Sequence, residues 1–83
     1  MSKTTILGVL LKKRTETAGK FQEVLSKYGC SIKTRIGIHA ASENVCSPDG
    51  VILLDVIGSE VESLEKDLKA IDGADVKKMV FEL

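Results

Sequence analysis

The residues best suited to chemistry lie in one segment, which runs from Arg35 to Gly50 and reads R-I-G-I-H-A-A-S-E-N-V-C-S-P-D-G. It contains the only histidine, His39, one of the two cysteines, Cys46, and the only proline, Pro48. The segment joins two apolar, strand-like runs with more residues than a hairpin loop needs, since such loops usually take about 2–5 residues. We therefore expect any ligand chemistry of this chain to reside here.

A metal site is the first chemistry that these residue types suggest. The imidazole of His39 and the thiolate of Cys46 are both suitable ligands for a transition metal. Two ligands per chain are too few for a closed site, although a symmetric dimer contact could supply four, or Cys30 could join them. His39 and Cys46 remain weak candidates, because a strand-end histidine and a small apolar cysteine need no metal. We expect no metal and no other cofactor.

A small polar or anionic ligand is the second possibility. Arg35 lies on the same face of a predicted strand as His39 and could meet an anion, with Gly37 between them allowing close backbone approach. The polar residues that follow could bind a metabolite or could simply form turn hydrogen bonds. The candidate ligand-binding residues are Arg35, Gly37, His39, Asn44, Cys46, Ser47 and Asp49.

Composition excludes several classes of partner. Lysine plus arginine and aspartate plus glutamate number 12 each among the 83 residues, so the formal net charge is zero. A nucleic-acid surface needs excess cations, so we expect no direct nucleic-acid binding. Without a run of apolar residues long enough for a spanning helix, without a signal peptide and without a disulfide framework, the chain is expected to be cytoplasmic.

Hydrophobic periodicity predicts alternating strands and helices. Ala18, Phe21, Leu25 and Tyr28 form one helical stripe, which Thr15 caps and which Gly29 ends in a left-handed conformation. Val61, Leu64, Leu68 and Ile71 form a second stripe, with Ser59 and Glu62 at capping-box spacing and Gly73 at its end. Strands are predicted over 6–11, 30–40, 51–57 and 76–83, with a turn over 47–50.

The predicted order is β-α-β-β-α-β, which right-handed crossovers fold into a ferredoxin-like α+β sandwich. Its four-stranded antiparallel sheet has the order 4-1-3-2, with both helices on one face. The whole chain, residues 1–83, forms a single domain of this kind.

The other face of that sheet is predicted to be apolar and to need a partner. If Ile52 and Leu54 face the helices, then Val51 and Leu53 face outward. Such a patch would be buried in a homo-oligomer, a dimer or a tetramer, unless long polar side chains screen it in a monomer. The candidate interface residues are Leu7, Val9, Val51 and Leu53, and the alternative register of the first strand would turn Ile6 and Leu10 outward instead.

The sequence gives little support to the hypothesis that the protein is an enzyme. There is no nucleophile motif, no paired acid constellation and no glycine-rich phosphate loop. An RNA-recognition motif of this fold would need stacking aromatic residues on its central strands. A copper chaperone would need Cys-x-x-Cys after the first strand, where Lys12-Lys13-Arg14-Thr15 stands. We therefore expect a protein that is not an enzyme.

The chain resembles regulators of iron-only hydrogenase systems, which are stand-alone ACT-like domains. The resemblance covers nearly the whole chain and rests on R-I-G-I-H at 35–39, N-V-C-S-P-D-G-V-I-L-L at 44–54 and L-x-A-I-x-G-x-x-V-K-K-M-V at 68–80. It implies a ferredoxin-like fold, homo-oligomers and a regulatory role that involves a small-molecule effector or a protein partner. The alternatives are an interaction or assembly protein without a ligand, a transition-metal sensor that uses His39 and Cys46, and an oligomeric enzyme of this fold.

The fold is also similar to the effector domain of nickel-responsive repressors. That family carries His-x-His on the second strand and a cysteine after five further residues. Here Gly37 takes the place of the first histidine, and Cys46 follows His39 after six residues. We therefore expect the isolated protein not to bind nickel as those repressors do, which calorimetric titration with nickel tests.

Overall fold

The computed structural model describes residues 3–12, 14–41 and 46–83. Its elements are β1 (Lys3–Leu11), α1 (Arg14–Lys27), a short 3-10 helix (Gly29–Ser31), β2 (Ile32–Ala41), β3 (Cys46–Val56), α2 (Val61–Lys69) and β4 (Ala74–Glu82). None of the helices in the described part of the chain is long and apolar enough to cross a membrane.

The four strands form one antiparallel sheet in the order β2-β3-β1-β4, which is the predicted order read from the other edge. The predicted ferredoxin-like α+β fold is therefore confirmed. The two most apolar strands, β1 and β3, occupy the centre of the sheet. A central strand has a neighbour along each edge and is the most completely covered, so apolar side chains are favoured there.

The core lies between the sheet and the two helices. Alternation along β3 turns Ile52, Leu54 and Val56 inward, as predicted, and their exposed fractions are 7%, 0% and 2%. The helices contribute the stripes that their periodicity predicted. The inward helical side chains that are buried are Phe21, Leu25, Leu64 and Leu68, with Ile71 just after α2.

The helix ends differ in detail from the predicted ones. Gly29 begins the 3-10 helix, so the predicted left-handed termination there is wrong. Glu60, rather than Ser59, precedes α2 as its N-cap, and no side chain caps the helix by a hydrogen bond. Gly73 does adopt the left-handed conformation, with φ of 92°. A substituted residue there would meet Thr17, whose Cγ2 lies 3.0 Å from the position of an added Cβ.

The connection between β2 and β3 is much shorter than predicted. β3 begins at Cys46, and Ala41 pairs with Cys46, so the predicted turn over 47–50 is wrong. Residues 46–49 lie beyond the end of β1, whose last pair joins Leu11 to Gly50. Here Cys46 pairs with Ala41 and Gly50 with His39, so three residues of β3 stand opposite one residue of β2 in an irregular, bulged pairing. Pro48 can occupy such a strand because a strand with one free edge does not need every backbone N–H.

Candidate functional site

A cleft opens on the helix-covered side of the sheet, where α1 meets the β2–β3 edge. It holds a volume of about 310 Å³. The cleft exists because α1 lies over β1 and β3 and leaves much of the edge strand β2 uncovered. Its described lining residues are Leu11, Ala18, Phe21, Gln22, Arg35, Gly37, Ile38, Gly50, Val51 and Ile52.

Two glycines line the cleft. Gly37 faces the helix layer, because its partner across the strands, Ile52, is buried in the core. A Cβ added at Gly37 would meet no atom within 4 Å. Gly50 is buried and lies two residues before Ile52 on the same face of β3. A side chain at Gly37 would occupy space that is now open.

Arg35 provides the positive charge of the cleft. Its guanidinium carbon lies 5.6 Å from the centre of the Phe21 ring, within the range of a cation–π contact. Phe21 is only 2% exposed, so the ring is a fixed support for the arginine. No acidic side chain in the described part of the chain forms an ion pair with Arg35. Its charge is consequently available to a ligand.

The structure brings some of the predicted ligand-binding residues together. Arg35 and Gly37 both line the cleft. The backbone of His39 pairs with that of Gly50, and Cys46, Ser47 and Asp49 belong to β3 rather than to a loop. The side chains of these four predicted residues, and Asn44 as a whole, lie outside the described residues.

Sequence reasoning missed the contribution of α1 to this site. Ala18 and Phe21 were predicted as members of a core stripe, and Phe21 does pack in the core, but both also line the cleft. Gln22, one position further along the helix, adds a polar side chain. The role of Phe21 and Gln22 depends on which side of α1 lies next to Arg35. That orientation is set by how α1 packs over the sheet, and the sequence pattern does not record it.

The opposite side of the sheet forms a second apolar surface, here called the open face. Four of its side chains are about half exposed: Ile36 at 51%, Ile38 at 48%, Met79 at 50% and Phe81 at 54%. A shallow hollow of about 350 Å³ crosses it beside Ile6 and Leu53. The apolar side chains of the open face are Ile6, Leu10, Ile36, Ile38, Val51, Leu53, Met79 and Phe81, and the polar residues Thr34 and Asp55 lie among them beside the hollow.

One part of the predicted interface is wrong. Leu7 and Val9 are both 0% exposed and lie in the core beneath the helices. They pair with Leu54 and Ile52, so they must share the helix-facing side with them. The alternative register is the observed one, with Ile6 and Leu10 turned outward. Val51 and Leu53 do lie on the open face, where each is partly exposed.

Along β2 the two surfaces alternate residue by residue. Arg35 and Gly37 face the cleft, whereas the side chains of Ile36 and Ile38 lie on the open face, although Ile38 also borders the cleft at the edge of the sheet. A register irregularity between Ile32 and Thr34 places Ile32 against the core instead of on the open face, where strict alternation would have placed it. The cleft and the open face thus share one edge strand.

The α2 side of the molecule contains most of the side-chain hydrogen bonds and ion pairs of the described residues. The Tyr28 hydroxyl donates to Asp67 Oδ2 at 2.6 Å and connects the end of α1 to α2. This hydrogen bond is the main reason that the pKa of Asp67 is lowered, and the same bond raises the pKa of Tyr28. Burial works to raise the pKa of Glu65, but hydrogen bonds from Lys78 and Lys69 outweigh it and hold that pKa below its usual value.

A preformed metal centre is not found in the described ranges 3–12, 14–41 and 46–83. Within them, no group of three or more histidine, cysteine, aspartate or glutamate side chains could hold a metal ion. The weak candidates His39 and Cys46 have their side chains outside the described residues, so the metal-sensor alternative stays untested. Cys30, which could have joined them, is an exposed free cysteine.

Comparison with known proteins gives a clear fold and no family. No family model matches the sequence, and no curated protein matches it. Among solved structures, the chain is similar to the uncharacterized protein TM1266 of Thermotoga maritima, with 23% identity and a TM-score of 0.77. That match covers 98% of this chain and 100% of the other.

Similarity also extends to a nitrogen regulatory PII-like protein, CPII, of Thiomonas intermedia K12. Its structure with ADP, AMP and bicarbonate matches with 13% identity and a TM-score of 0.62, and the match covers 99% of this chain and 96% of that one. Its structure with ADP, AMP and acetate matches with 14% identity and a TM-score of 0.51, covering 98% and 90%. At such identities the likeness establishes the ferredoxin-like fold.

Proposed function

We propose that this chain is a non-catalytic regulatory module that binds a small ligand in the cleft between α1 and β2–β3. The observation that carries the proposal is the cleft itself, which combines an arginine without an acidic partner among the described residues with apolar walls and a glycine floor. Ligand sites are typically concave, mostly apolar and equipped with a few oriented polar groups. The PII-like neighbours, whose structures hold nucleotides with bicarbonate or acetate, make a small-ligand role for this fold reasonable.

Native mass spectrometry of freshly purified protein tests the ligand-binding role. We expect a non-covalent mass adduct on the wild-type chain that is absent from Gly37→Val. Valine suits an edge strand and would fill open space, since nothing lies within 4 Å of an added Cβ at Gly37. Gly19→Ala is the matched control, because an added Cβ there also meets nothing and Gly19 does not line the cleft. An adduct retained in Gly37→Val would remove the cleft from the functional account.

We also propose that the module assembles into a homo-oligomer through the open face. Monomeric proteins rarely expose a contiguous apolar surface of this kind. Burying a few hundred Å² of it per subunit would contribute several kcal/mol at about 25 cal/mol per Å², before the costs of association. Sedimentation equilibrium should then report a multiple of the 9.0 kDa chain mass.

Two lysine substitutions at equally exposed positions test the location of that contact. Ile36→Lys changes a side chain of the open face that is 51% exposed, and it should shift the protein toward the monomer. Val80→Lys changes a 48% exposed side chain on the opposite side of β4 and should leave the mass unchanged. Leu53→Lys should act like Ile36→Lys. Equal effects of the two exposed substitutions would argue against the open face as the interface.

The regulatory target proposed for the module is an iron-only hydrogenase system in the cytoplasm. This part rests on the sequence resemblance at 35–39, 44–54 and 68–80 and on no contact within the structure. Deletion of the gene should change hydrogenase activity in cells of the source organism, and the wild-type gene should restore it. Unchanged activity under hydrogenase-expressing conditions would count against this target without touching the ligand-binding role.

A further inference from the structure

The charge and polarity of the cleft restrict what can bind there. Its described lining contains only two polar side chains, Gln22 and Arg35, and only the second carries a formal charge. A ligand charge buried in an apolar site without an opposite charge is strongly disfavoured. A ligand that matches this lining is therefore negative at one point and apolar over most of its surface.

The position of Arg35 supplies a defined anchor point. Contact with the fixed Phe21 ring restricts the guanidinium, and a restricted guanidinium loses less entropy when it binds a carboxylate or phosphate through two hydrogen bonds. Gly37 follows two residues later on the same face of β2, so the open volume begins directly beside the anchor. An anionic head group at Arg35 would leave the rest of the ligand over the glycines and against Ile52.

We infer that the cleft takes a small molecule with one anionic head group, a carboxylate or a phosphate, and a compact apolar body. This inference rests on the proposed ligand-binding role and adds the chemical class of the ligand. The volume of about 310 Å³ lies at the lower end of ligand pockets, which span about 300–1,000 Å³. That size fits a body such as a single ring or a short branched chain better than it fits a nucleotide.

Three probes of nearly equal shape separate the parts of this inference. Phenylacetate and phenyl phosphate carry the two anionic head groups, and phenylacetamide is the neutral analogue. Ligand-observed NMR on the full chain measures their dissociation constants. We expect at least one anion to bind about tenfold or more tightly than the amide, which is the size expected for a charge-assisted hydrogen bond. The stronger of the two anions identifies the head group.

Variants on β2 test the anchor. Arg35→Gln should weaken the bound anion about tenfold or more and should leave the amide unaffected. Arg35→Lys, which keeps the charge but loses the planar fork, should weaken it less. Lys33→Gln is the matched control, because it removes a charge from the same strand outside the described lining. We expect its affinities to equal those of the wild type.

The outcomes separate this inference from the proposed function. Equal binding of anion and amide, lost together in Gly37→Val, would overturn the anionic class and leave ligand binding in the cleft standing. Equal losses of affinity for the anion in Arg35→Gln and Lys33→Gln would contradict the role of Arg35 as the anchor. The affinity would then depend on the total charge of the protein and not on the position of Arg35. If no probe binds the wild-type chain, the inference fails, and the native mass adduct decides independently whether the cleft holds another ligand.

Discussion

The two ends of the helix-covered layer differ in how completely they are filled. At the α2–β4 end, Leu64 and Leu68 are both 0% exposed, and Glu65 bonds Lys69 and Lys78 at 3.3 and 3.2 Å. At the α1–β2 end, glycines replace side chains and a cleft remains. The two βα halves of one fold thus differ in packing. The first leaves an open cleft beside its buried residues, and the second is filled by side chains and ion pairs.

Truncation of apolar side chains should show the largest difference, here between the packed α2 end and the open face of the edge strand β2. Leu68→Ala removes a fully buried side chain and should lower the free energy of unfolding by about 2–5 kcal/mol. Ile38→Ala, at a position 48% exposed on β2, should lower it by less than about 1 kcal/mol. Urea unfolding under identical conditions measures both. Similar losses would mean that the open face at Ile38 is packed as firmly as the α2 end.

The glycines of the two ends should respond in opposite ways to alanine. Gly73→Ala should lower the free energy of unfolding by about 1–3 kcal/mol, because φ is 92° and the new Cβ meets Thr17. Gly37→Ala meets open space in a strand and should raise the stability by up to about 1 kcal/mol. Thermal unfolding of the two variants and the wild type shows whether each substitution raises or lowers the stability. A loss for Gly37→Ala would show that this glycine is needed for structure rather than for space.

A smaller effect is expected from the charges. Lys78→Gln removes one of the two lysines that bond Glu65. It should lower the free energy of unfolding by at most about 1 kcal/mol, as for other partly exposed ion pairs. It should also raise the pKa of Glu65, since the hydrogen bond from Lys78 helps to hold that pKa down. Lys33→Gln, at the other end, should change neither the free energy of unfolding nor the pKa of Glu65. NMR titration of the Glu65 carboxyl group checks the pKa.

The smallest effect, and a pH-dependent one, is expected at the contact between the two helices. Tyr28→Phe removes the hydrogen bond that chiefly lowers the pKa of Asp67, so that pKa should rise toward its ordinary value of 3.8. A lowered folded-state pKa stabilises the fold above the ordinary value, and this stabilisation is lost as the pH falls through the folded value. The variant should therefore be less stable than the wild type at neutral pH.

Acid unfolding provides the check on this contact. The stability difference between Tyr28→Phe and the wild type should shrink as the pH falls below the ordinary aspartate pKa. In alkali it should also shrink, because the bond raises the pKa of Tyr28 and its contribution is lost as the pH rises through that raised value. A stability difference independent of pH would contradict the role given to Asp67.

The regular parts of the fold were predictable because their signals are local. The helical stripe of Val61, Leu64, Leu68 and Ile71, spaced 3, 4 and 3, and the alternation in β3 each reflect a period set by backbone geometry. The connection between β2 and β3 was not predictable from the same signals. Ser47-Pro48-Asp49-Gly50 has turn composition, yet it lies in β3, where the pairs Ala41–Cys46 and His39–Gly50 enclose a register shift that no local pattern records.

The sequence by itself determined the order of the elements, the strand order and the apolar character of both sheet faces. It also marked Arg35 and Gly37 as candidates for binding. Only the tertiary structure decided that Leu7 and Val9 face the core, because both faces of β1 are apolar and register alone distinguishes them. The cleft likewise follows from where α1 packs, since a cavity is space between elements that no local pattern records.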